Sequence, residues 1–386
     1  MTVLKGKLNN TVGEVWTRKG LVVFQFALSI ILIVCVWVVY QQIEFVQNQN
    51  LGYDKENILL FKKEGVLQEE EKFKTFLLEL ENTPGIASAS SSLHDMIGHH
   101  YGSGMGWPGK DPDDKTEFEE VVIDYSLIET LGIEMQAGRA FSEDFSTDKT
   151  KIIINEAAID AKGLTDPIGK IVQWNGNNRE IIGIAKDFHF ASLREEIKPL
   201  YFRLAPSATN KVVLKIKAGK EQETIRHLQQ LYKTFNPGYV LDYWFLDEDY
   251  QSLYTAEQRV STLSKYFAGI AILISCLGLF GLAAFTAERR LKEIGIRKVL
   301  GASSFNIVGL LSGDFTKMVF MAITIALPIS YFITARWLEG FVYRISLAWW
   351  FFVGTGLIAL LIAWFTVGFQ TIKAAMVNPV QCLKDE

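Results

Sequence analysis

Residues 288–303 read ERRLKEIGIRKVLGAS and lie between two long uncharged runs of the chain. The stretch holds five basic residues and two acidic ones, and a short loop rich in lysine and arginine beside a membrane span stays on the cytoplasmic side. Helix-forming residues continue up to Gly301, after which Ser303 or Ser304 can cap a second helix. The stretch therefore predicts a cytoplasmic helical elbow. The simpler alternative is that these charges fix the orientation of the chain and do nothing else.

Four windows of the sequence lack charged residues for long enough to cross a bilayer, which takes about 20 apolar residues. They cover residues 20–43, 266–287, 318–335 and 345–372, of which the third is the shortest. The chain of 386 residues is 49% hydrophobic, as expected for a membrane protein with a large polar domain. No window carries a charge at its centre, which argues against an ion-coupled carrier.

Basic residues accompany these windows at the amino-terminal segment, the elbow and the carboxy-terminal tail. The positive-inside rule then places both termini in the cytoplasm. Residues 41–264 hold 36 acidic and 24 basic residues, so this large segment is predicted to lie outside. It contains no cysteine, because Cys35, Cys276 and Cys382 lie elsewhere, and it must fold without disulfides.

These assignments predict a multi-pass protein of a cell inner membrane with its large domain in the periplasm. The predicted segments are an interfacial segment (1–19), a first span (20–43), an outer domain (44–264), a second span (265–287), the elbow (288–304), a third span with an amphipathic lead (305–335), a short outer loop (336–344), a fourth span (345–372) and a cytoplasmic tail (373–386).

The outer domain shows the order strand, helix, strand twice, with a proline and a glycine before the last strand of each copy. The predicted fold class is therefore a membrane α-helical part with four transmembrane helices plus an α+β extracytoplasmic domain, in which two βαβ-type units bracket a β-rich insert. The two copies cover residues 57–61, 68–81 and 86–90, and residues 211–217, 221–234 and 239–246.

The insert is predicted at about residues 126–201. An apolar run at 151–154 predicts a strand. Residues 174–184 predict a hairpin, because Asn175 and Gly176 favour a tight two-residue turn. The spacing of these elements suits a small lobe rich in β-structure.

One stretch of the insert resembles a phosphate-binding loop. Residues 163–170 read GLTDPIGK, with five residues between the glycines where the phosphate loop has four, and Ile171 stands where Ser or Thr should follow. The stretch is not a nucleotide site. If ATP drives this protein, another polypeptide must bind it.

A histidine cluster is the main candidate for a metal site. His94, His99 and His100 lie with Asp95 in a stretch rich in serine and glycine. Imidazole and carboxylate are metal ligands, but the spacing matches no zinc motif, and polar clusters ordinarily occupy loops. We predict a polar loop and no metal, and we interpret His189 in KDFHF as a packed or hydrogen-bonded residue.

No catalytic residue is predicted. The sequence contains no GxSxG motif, and its runs of acidic residues are typical of a solvated face. The chain is therefore expected to be neither an enzyme nor a cofactor-binding protein.

The second span combines a polar lead with a face of small residues. Residues 247–265 have helical spacing and predict a stalk continuous with the span. Ser275, Gly278 and Gly281 recur every three residues and create a smooth face for close helix contact. That face serves either packing within one subunit or a dimer seam.

The elbow is similar to the motif that follows the second transmembrane helix in FtsX-like and MacB-like ABC transporter permeases. The resemblance also covers the preceding span, the ending NPVQCLKDE, and residues 151–201 with DPIGK and IIGIAKDFHF. It implies a half-sized permease with four transmembrane helices and a MacB-like periplasmic core domain. VLKGKL near the start resembles the join between the halves of tandem permeases, so the chain is either a half-sized relative or a carboxy-terminal half.

The resemblance further implies that a cytoplasmic ABC ATPase docks on the elbow and that the permease works with a second copy or a homologous half. The other expected contacts are membrane lipid and a periplasmic partner, and no nucleic acid. The residues assigned to coupling are Glu288, Arg289, Arg290, Glu293, Gly295, Arg297, Lys298 and Gly301.

The expected function is to transmit ATP-driven motion to the periplasmic domain, for export or extraction of a substrate at the outer face. The alternative is a membrane sensor or scaffold that does not transport and regulates a periplasmic partner such as a cell-wall hydrolase. A third possibility, a membrane-anchored enzyme, requires convergent titratable groups in the outer domain.

Overall fold

The computed structural model describes residues 4–98, 102–107, 113, 116–161 and 163–376. The chain forms two compact units. Met1–Val46 and Ala256–Glu386 make up the membrane unit, and Gln47–Thr255 make up the sheet domain.

The helices and strands are numbered separately along the chain. The helices are α1 (Leu4–Asn48), α2 (Glu70–Glu81), α3 (Leu127–Thr130), α4 (Glu156–Asp160), α5 (Glu221–Phe235), α6 (Leu246–Ser252), α7 (Thr255–Arg289), α8 (Leu291–Val299), α9 (Ser304–Leu338) and α10 (Trp349–Ala375). The strands are β1 (Ile58–Lys62), β2 (Ile86–Ser92), β3 (Gly102–Gly106), β4 (Glu117–Ile123), β5 (Met135–Gly138), β6 (Lys151–Asn155), β7 (Ile171–Trp174), β8 (Asn177–Ala185), β9 (Leu200–Leu204), β10 (Lys211–Ile216) and β11 (Tyr243–Phe245).

Four helices of the membrane unit, α1, α7, α9 and α10, are long and apolar enough to cross a membrane. Their number confirms the four predicted membrane helices. One buried cluster joins all four of them, with small residues where the helices approach closely. It includes Phe26 and Ile30 of α1, Leu279 and Ala283 of α7, Phe315 and Ala322 of α9, and Ala363 and Val367 of α10.

The third span is longer than its uncharged window. The amphipathic lead and the window form one helix, α9, which starts at Ser304 and continues through Pro328. The charges of Asp314 and Lys317 therefore lie within this helix, close to its start.

The fourth span starts later than its uncharged window, which begins at residue 345. Helix α10 begins at Trp349, because the preceding loop is tied to α1 by a buried amide. Gln42 Nε2 donates to the carbonyl oxygen of Tyr343 at 2.9 Å, and the N–H of Ile345 donates to Gln42 Oε1 at 2.9 Å. A buried amide is costly unless its donor and acceptor are paired, so this loop satisfies Gln42.

The predicted stalk, residues 247–265, is divided between two helices, and its part from Thr255 onward is continuous with the span. Helix α6 ends at Ser252 and α7 begins at Thr255. Tyr254 lies between them and is 1% exposed within the sheet domain. Burial of this ring interrupts the predicted stalk, and α7 from Thr255 to Arg289 is the continuous helix.

The two strand–helix–strand copies form one half of the sheet domain, here called the split half. Its strand order is β11-β1-β10-β2, with antiparallel neighbours. Strand β10 lies between β1 and β2, which is the split βαβ arrangement. Side chains of α2 and α5 cover the sheet, and Phe61, Phe76 and Tyr232 stack edge to face at ring distances of 5.8–6.4 Å.

The chain between β2 and β10 forms the second half, here called the barrel half. It begins before residue 126 and ends after residue 201, so it is larger than the predicted insert. The pairings β4–β3, β3–β7, β7–β8, β8–β6, β6–β9 and β9–β4 close a ring of six strands, and β5 adds to β8. The predicted hairpin is present: Asn175 and Gly176 have φ values of 46° and 75° between β7 and β8, as a type I′ turn requires.

A buried chain of polar side chains lies where the two halves meet. Lys63 Nζ donates to Thr209 Oγ1 at 2.5 Å. Ser91 Oγ lies 2.7 Å from Thr209 Oγ1 and donates to Asp124 Oδ2 at 3.0 Å. Burial lowers the pKa of Lys63 to about 8 and raises the pKa of Asp124. The ammonium of Lys63 and the carboxylate of Asp124 therefore each carry a desolvation cost in the folded domain.

Candidate coupling site

The elbow folds as α8, which is closed at its end by a glycine turn. Gly301 has φ +92°, a left-handed conformation that favours glycine. Its N–H donates to the carbonyl oxygen of Lys298 at 3.1 Å, and the N–H of Ala302 donates to that of Arg297 at 2.9 Å. These two bonds are the Schellman arrangement, which satisfies the last carbonyl groups of a helix. Gly301 therefore ends α8 through its backbone conformation.

The next helix starts immediately after this turn. Ser303 is extended, and its side chain accepts a hydrogen bond from the N–H of Asn306 at 3.2 Å. Ser303, one of the two predicted capping residues, is thus the cap of α9. Between the end of α8 and the start of α9, the chain has a defined conformation at each residue of the turn.

One side of α8 is held against α9. Ile294 is 3% exposed and packs in a buried cluster with Ile307 and Leu311. Before α8 begins, Arg290 Nη2 lies 3.0 Å from Asp314 Oδ2 of α9. An apolar contact and an ion pair therefore hold α8 and the residue before it against α9.

The opposite side of α8 is apolar and exposed. Ile296 is 52% exposed, Val299 66% and Leu300 80%. Exposed single hydrophobic residues are common, but three close together at a helix end beside basic residues are typical of a protein-binding surface. We call Ile296, Val299 and Leu300 the apolar tip. The apolar tip was not predicted, because the prediction for this stretch rested on its charged residues. Its three apolar residues are nevertheless present in the sequence IGIRKVL.

The charged residues of α8 stand beside the apolar tip. Arg297 Nη2 lies 2.8 Å from Glu293 Oε1, one helical turn earlier, and both side chains are nearly half exposed. Exposed pairs of this kind contribute about 0.3–0.5 kcal/mol, so this pair is a weak contributor to stability. Its charges remain available to a partner.

The remaining predicted coupling residues differ in exposure. Glu288 and Arg289 are exposed at the end of α7, where the Arg289 guanidinium lies 4.7 Å from the centre of the Phe285 ring. Lys298 is partly exposed and Gly295 is buried. Exposed and partly exposed side chains can contact a partner. Gly295 is buried, and Arg290, although partly exposed, is paired with Asp314 of α9.

The small residues of α7 do not act as one face. Ser275 Oγ lies 3.0 Å from Ser29 Oγ of α1. A Cβ atom at Gly278 would lie 2.5 Å from Gln25 Oε1, while one at Gly281 would meet no atom within 4 Å. Ser275 and Gly278 therefore let α7 approach α1 within the membrane unit, and Gly281 faces open space.

The stretch 163–170 lies in a different context from a phosphate loop. It leads into strand β7, whereas a phosphate loop opens a helix whose N–H groups bind the anion. The N–H of Gly169 donates to the carbonyl oxygen of Ile181 at 2.8 Å. The stretch is a turn that precedes β7 and is hydrogen-bonded to β8.

Part of the predicted histidine loop can be located. Asp95 forms an ion pair with Lys211, and Ser92 Oγ donates to the carbonyl oxygen of His94 at 2.9 Å. His99 and His100 lie outside the described residues. Within the described ranges, no group of three or more His, Cys, Asp or Glu side chains is arranged to hold a metal ion.

Comparison with known proteins places the membrane unit in a family. Residues 266–379 match the family described as FtsX-like permease C-terminal. The uncharacterized ABC transporter permease YknZ of Bacillus subtilis (strain 168) is 22% identical over 275 residues, which cover 68% of each chain. Residues 266–379 are therefore similar to the carboxy-terminal domain of FtsX-like permeases. The matched residues include the elbow, α9, α10 and the part of α7 from residue 266 onward.

Other relatives share a shorter stretch with this chain. The macrolide export ATP-binding/permease protein MacB of Bdellovibrio bacteriovorus is 22% identical over 188 residues, which cover 44% of this chain and 29% of that protein. MacB of Neisseria gonorrhoeae is 22% identical over 191 residues, with coverage of 46% and 29%. The chain therefore spans less than a third of the length of these MacB proteins.

Two solved structures show limited similarity to this chain. The periplasmic region of MacB from Actinobacillus actinomycetemcomitans gives a TM-score of 0.38 at 15% identity and covers 54% of this chain and 98% of its own. The extracellular domain of the noncanonic ABC-type transporter YknZ from Gram-positive bacteria gives 0.34 at 18% identity, with coverage of 49% and 98%. The architecture of the sheet domain follows from its own strand pairing.

Proposed function

We propose that this protein is an FtsX-like permease, the membrane subunit of an ABC system in which a separate cytoplasmic ATPase docks on α8. Closure of the ATPase on ATP displaces α8, and α7 passes the displacement to the sheet domain in the periplasm or outer medium. The work performed there is export or extraction of a substrate at the outer face, with no passage between the membrane helices. A second copy or a homologous half completes the assembly, which the two-fold geometry of an ATPase pair requires.

The observation that carries this proposal is the division of α8 into two sides. One side is fixed to α9 through Ile294, and the other presents the apolar tip beside Arg297 and Lys298. A docking element must be both rigidly attached and exposed, since a flexible one would absorb the displacement. The printed name of MacB joins ATP-binding and permease parts, which supports an ATPase as the partner of the permease part proposed here.

Charge reversal at the docking side tests the proposal. With Arg297→Glu and Lys298→Glu combined, we expect at least about a tenfold loss of the ATPase that co-purifies in mild detergent, because like charges across an interface oppose association. Stimulation of ATP hydrolysis by the permease should fall with it. Retention of both would contradict the proposed docking surface.

Arg336 offers a matched control. Its Nη1 lies 3.2 Å from Glu339 Oε2, in an exposed pair near the other end of α9. Arg336→Glu reverses one charge, half of the change in the elbow variant, and breaks a comparable ion pair at a site outside the elbow. This variant should retain co-purification and stimulation, so that their loss in the elbow variant reports on docking.

A further inference from the structure

The segment KDFHFASL, residues 186–193, was notable in the sequence and has no part in the coupling site. It continues from β8 into an irregular stretch of the sheet domain. Phe188, Phe190 and Leu193 are buried, although the segment lies outside any helix or strand. An irregular segment with buried aromatic side chains must be held by specific contacts, and those contacts indicate its role. We call residues 186–193 the clamp segment.

The clamp segment is anchored on the barrel half. Asp187 Oδ1 accepts a hydrogen bond from the N–H of Ala157 at 2.9 Å, at the start of α4. The N–H of Lys186 donates to the carbonyl oxygen of Glu134 at 2.8 Å. The Phe188 ring packs against Phe202 of β9 with 5.6 Å between ring centres. The position of the clamp segment is therefore set by the barrel.

The chain enters the sheet domain through residues 49–55, the entry connector, and these bind the clamp segment. The N–H of His189 donates to the carbonyl oxygen of Leu51 at 2.8 Å. The Tyr53 ring meets the Phe190 ring edge to face at 5.1 Å. Both Leu51 and Tyr53 are buried, and burial lowers the pKa of His189, which favours its neutral form beside the connector.

The chain leaves the sheet domain through residues 246–254, the exit connector, and these bind the same segment. Tyr254 Oη accepts a hydrogen bond from the N–H of Leu193 at 2.8 Å and lies 3.4 Å from Ser192 Oγ. The Tyr254 and Tyr250 rings stack at 5.6 Å. The connectors also meet each other, because Lys55 Nζ lies 4.7 Å from the centre of the Tyr250 ring.

Gly52 is the closest point between the entry connector and the clamp segment. Its φ of +81° suits glycine, and a Cβ atom at this position would lie 2.5 Å from the carbonyl oxygen of Asp187 and 2.9 Å from Phe188 Cα. Real Cβ contacts with backbone are not this short, so any side chain at this position must push the connector and the clamp segment apart. Glycine is thus required by space as well as by backbone conformation.

We propose that the clamp segment holds the entry and exit connectors in one fixed arrangement, so that a displacement of either membrane helix is passed to the whole sheet domain. Without the clamp, the irregular residues 49–55 after α1 and the residues 253–254 between α6 and α7 would bend and absorb the displacement. The proposal rests on the proposed function, because it assigns the step by which the movement of α7 reaches the domain. Gly52, His189, Leu193 and Tyr254 are positioning residues in this step.

Hydrogen exchange of the full chain in lipid nanodiscs tests the clamp without the ATPase. In Gly52→Ala, the N–H groups of His189 and Leu193 should exchange at least about tenfold faster, since the clash separates the segments. In Tyr254→Phe, which removes one acceptor and keeps the ring, Leu193 should exchange faster and His189 should not. Wild-type exchange rates at both groups in Gly52→Ala would overturn the proposal.

Gly219→Ala is the matched control for backbone strain. Gly219 has φ +78°, but a Cβ atom there would meet nothing within 4 Å. This variant carries the same conformational cost as Gly52→Ala with no contact to disturb. Faster exchange of His189 in Gly219→Ala as well would show that general destabilisation explains the result, which would also overturn the proposal.

A second readout separates the clamp from the proposed function. With the ATPase bound, addition of ATP should alter exchange in β1 of the wild-type sheet domain. Tyr254→Phe should weaken this response and Gly52→Ala should abolish it, while the co-purified ATPase and its stimulation stay at wild-type levels. If no ATPase co-purifies with the wild type, the proposed function is refuted and the clamp is not. An undiminished ATP response in Gly52→Ala refutes the clamp alone.

Discussion

Single residues decide how closely α7 approaches α1 in the membrane unit. Gly278 faces Gln25 and Gly281 faces open space, three residues further along the same helix. The two glycines therefore separate a contact within the subunit from a surface that meets lipid or a second copy. The spacing in the sequence could not make this distinction, because it does not say which side of a helix another helix covers.

Leucine at the two positions should have different effects. Gly278→Leu should destabilise the membrane unit by roughly 1–3 kcal/mol, as overpacking does, and lower the thermal unfolding midpoint of the detergent-solubilised chain. Gly281→Leu should leave the midpoint unchanged. Equal destabilisation by both would contradict the contact between α7 and α1 at Gly278. Loss of chemically cross-linked dimers in Gly281→Leu alone would identify the exposed side of α7 as a seam between copies.

Lys63 is a residue whose burial costs stability. Its pKa of about 8 in the folded domain lies below its usual 10.5, so between these pH values the unfolded chain binds more protons than the folded chain. The contribution of Lys63 to the free energy of unfolding therefore rises with pH across this window, by on the order of 2–3 kcal/mol. Below pH 8 the full desolvation cost of the ammonium is present.

The comparison with Lys63→Met isolates this effect from other titrating groups. The free energy of unfolding of the wild type, minus that of Lys63→Met, should increase as the pH rises from 8 to 10.5. Thermal unfolding followed by tryptophan fluorescence at several pH values gives the difference. A difference that is constant with pH would show that the Lys63 ammonium is not buried in the folded domain.

At the scale of elements, the nine-residue helix α8 has one side packed against α9 and another side exposed. The attached side depends on Ile294, and the docking side on the apolar tip. Two isoleucines two positions apart thus have different roles. The sequence predicted the helix, its glycine end and the cap of α9 from local signals, which lie within a few residues of each other. It did not predict the ion pair of Arg290 with Asp314, because that contact joins separate helices.

Alanine at the two isoleucines should separate these roles. Ile294→Ala should destabilise the packing of α8 on α9 by roughly 2 kcal/mol through the cavity it leaves, and speed hydrogen exchange across α8. Ile296→Ala should leave exchange unchanged and reduce the amount of ATPase that co-purifies. Faster hydrogen exchange in Ile296→Ala, or an unchanged exchange rate in Ile294→Ala, would contradict the assignment of the two sides.

At the scale of the whole molecule, local patterns predicted the four membrane helices and the two strand–helix–strand copies. The closed ring of the barrel half was not predictable in this way, because it depends on the parallel pairing of β4 with β9, strands far apart in sequence. The interruption of the stalk at Tyr254 was missed for the same reason, since the partner of Tyr254 is Leu193. Periodicity reports on neighbours along an element and carries no information on such distant partners.

The proposed coupling requires that the elbow and the sheet domain lie on opposite sides of the membrane. Cysteines introduced one at a time at Lys298 and Lys217, in a chain whose own cysteines are replaced by serine, can be labelled with a membrane-impermeant maleimide on spheroplasts. We predict labelling at position 217 in intact spheroplasts and at position 298 only after the membrane is opened. Labelling of position 298 in intact spheroplasts would contradict the proposed coupling.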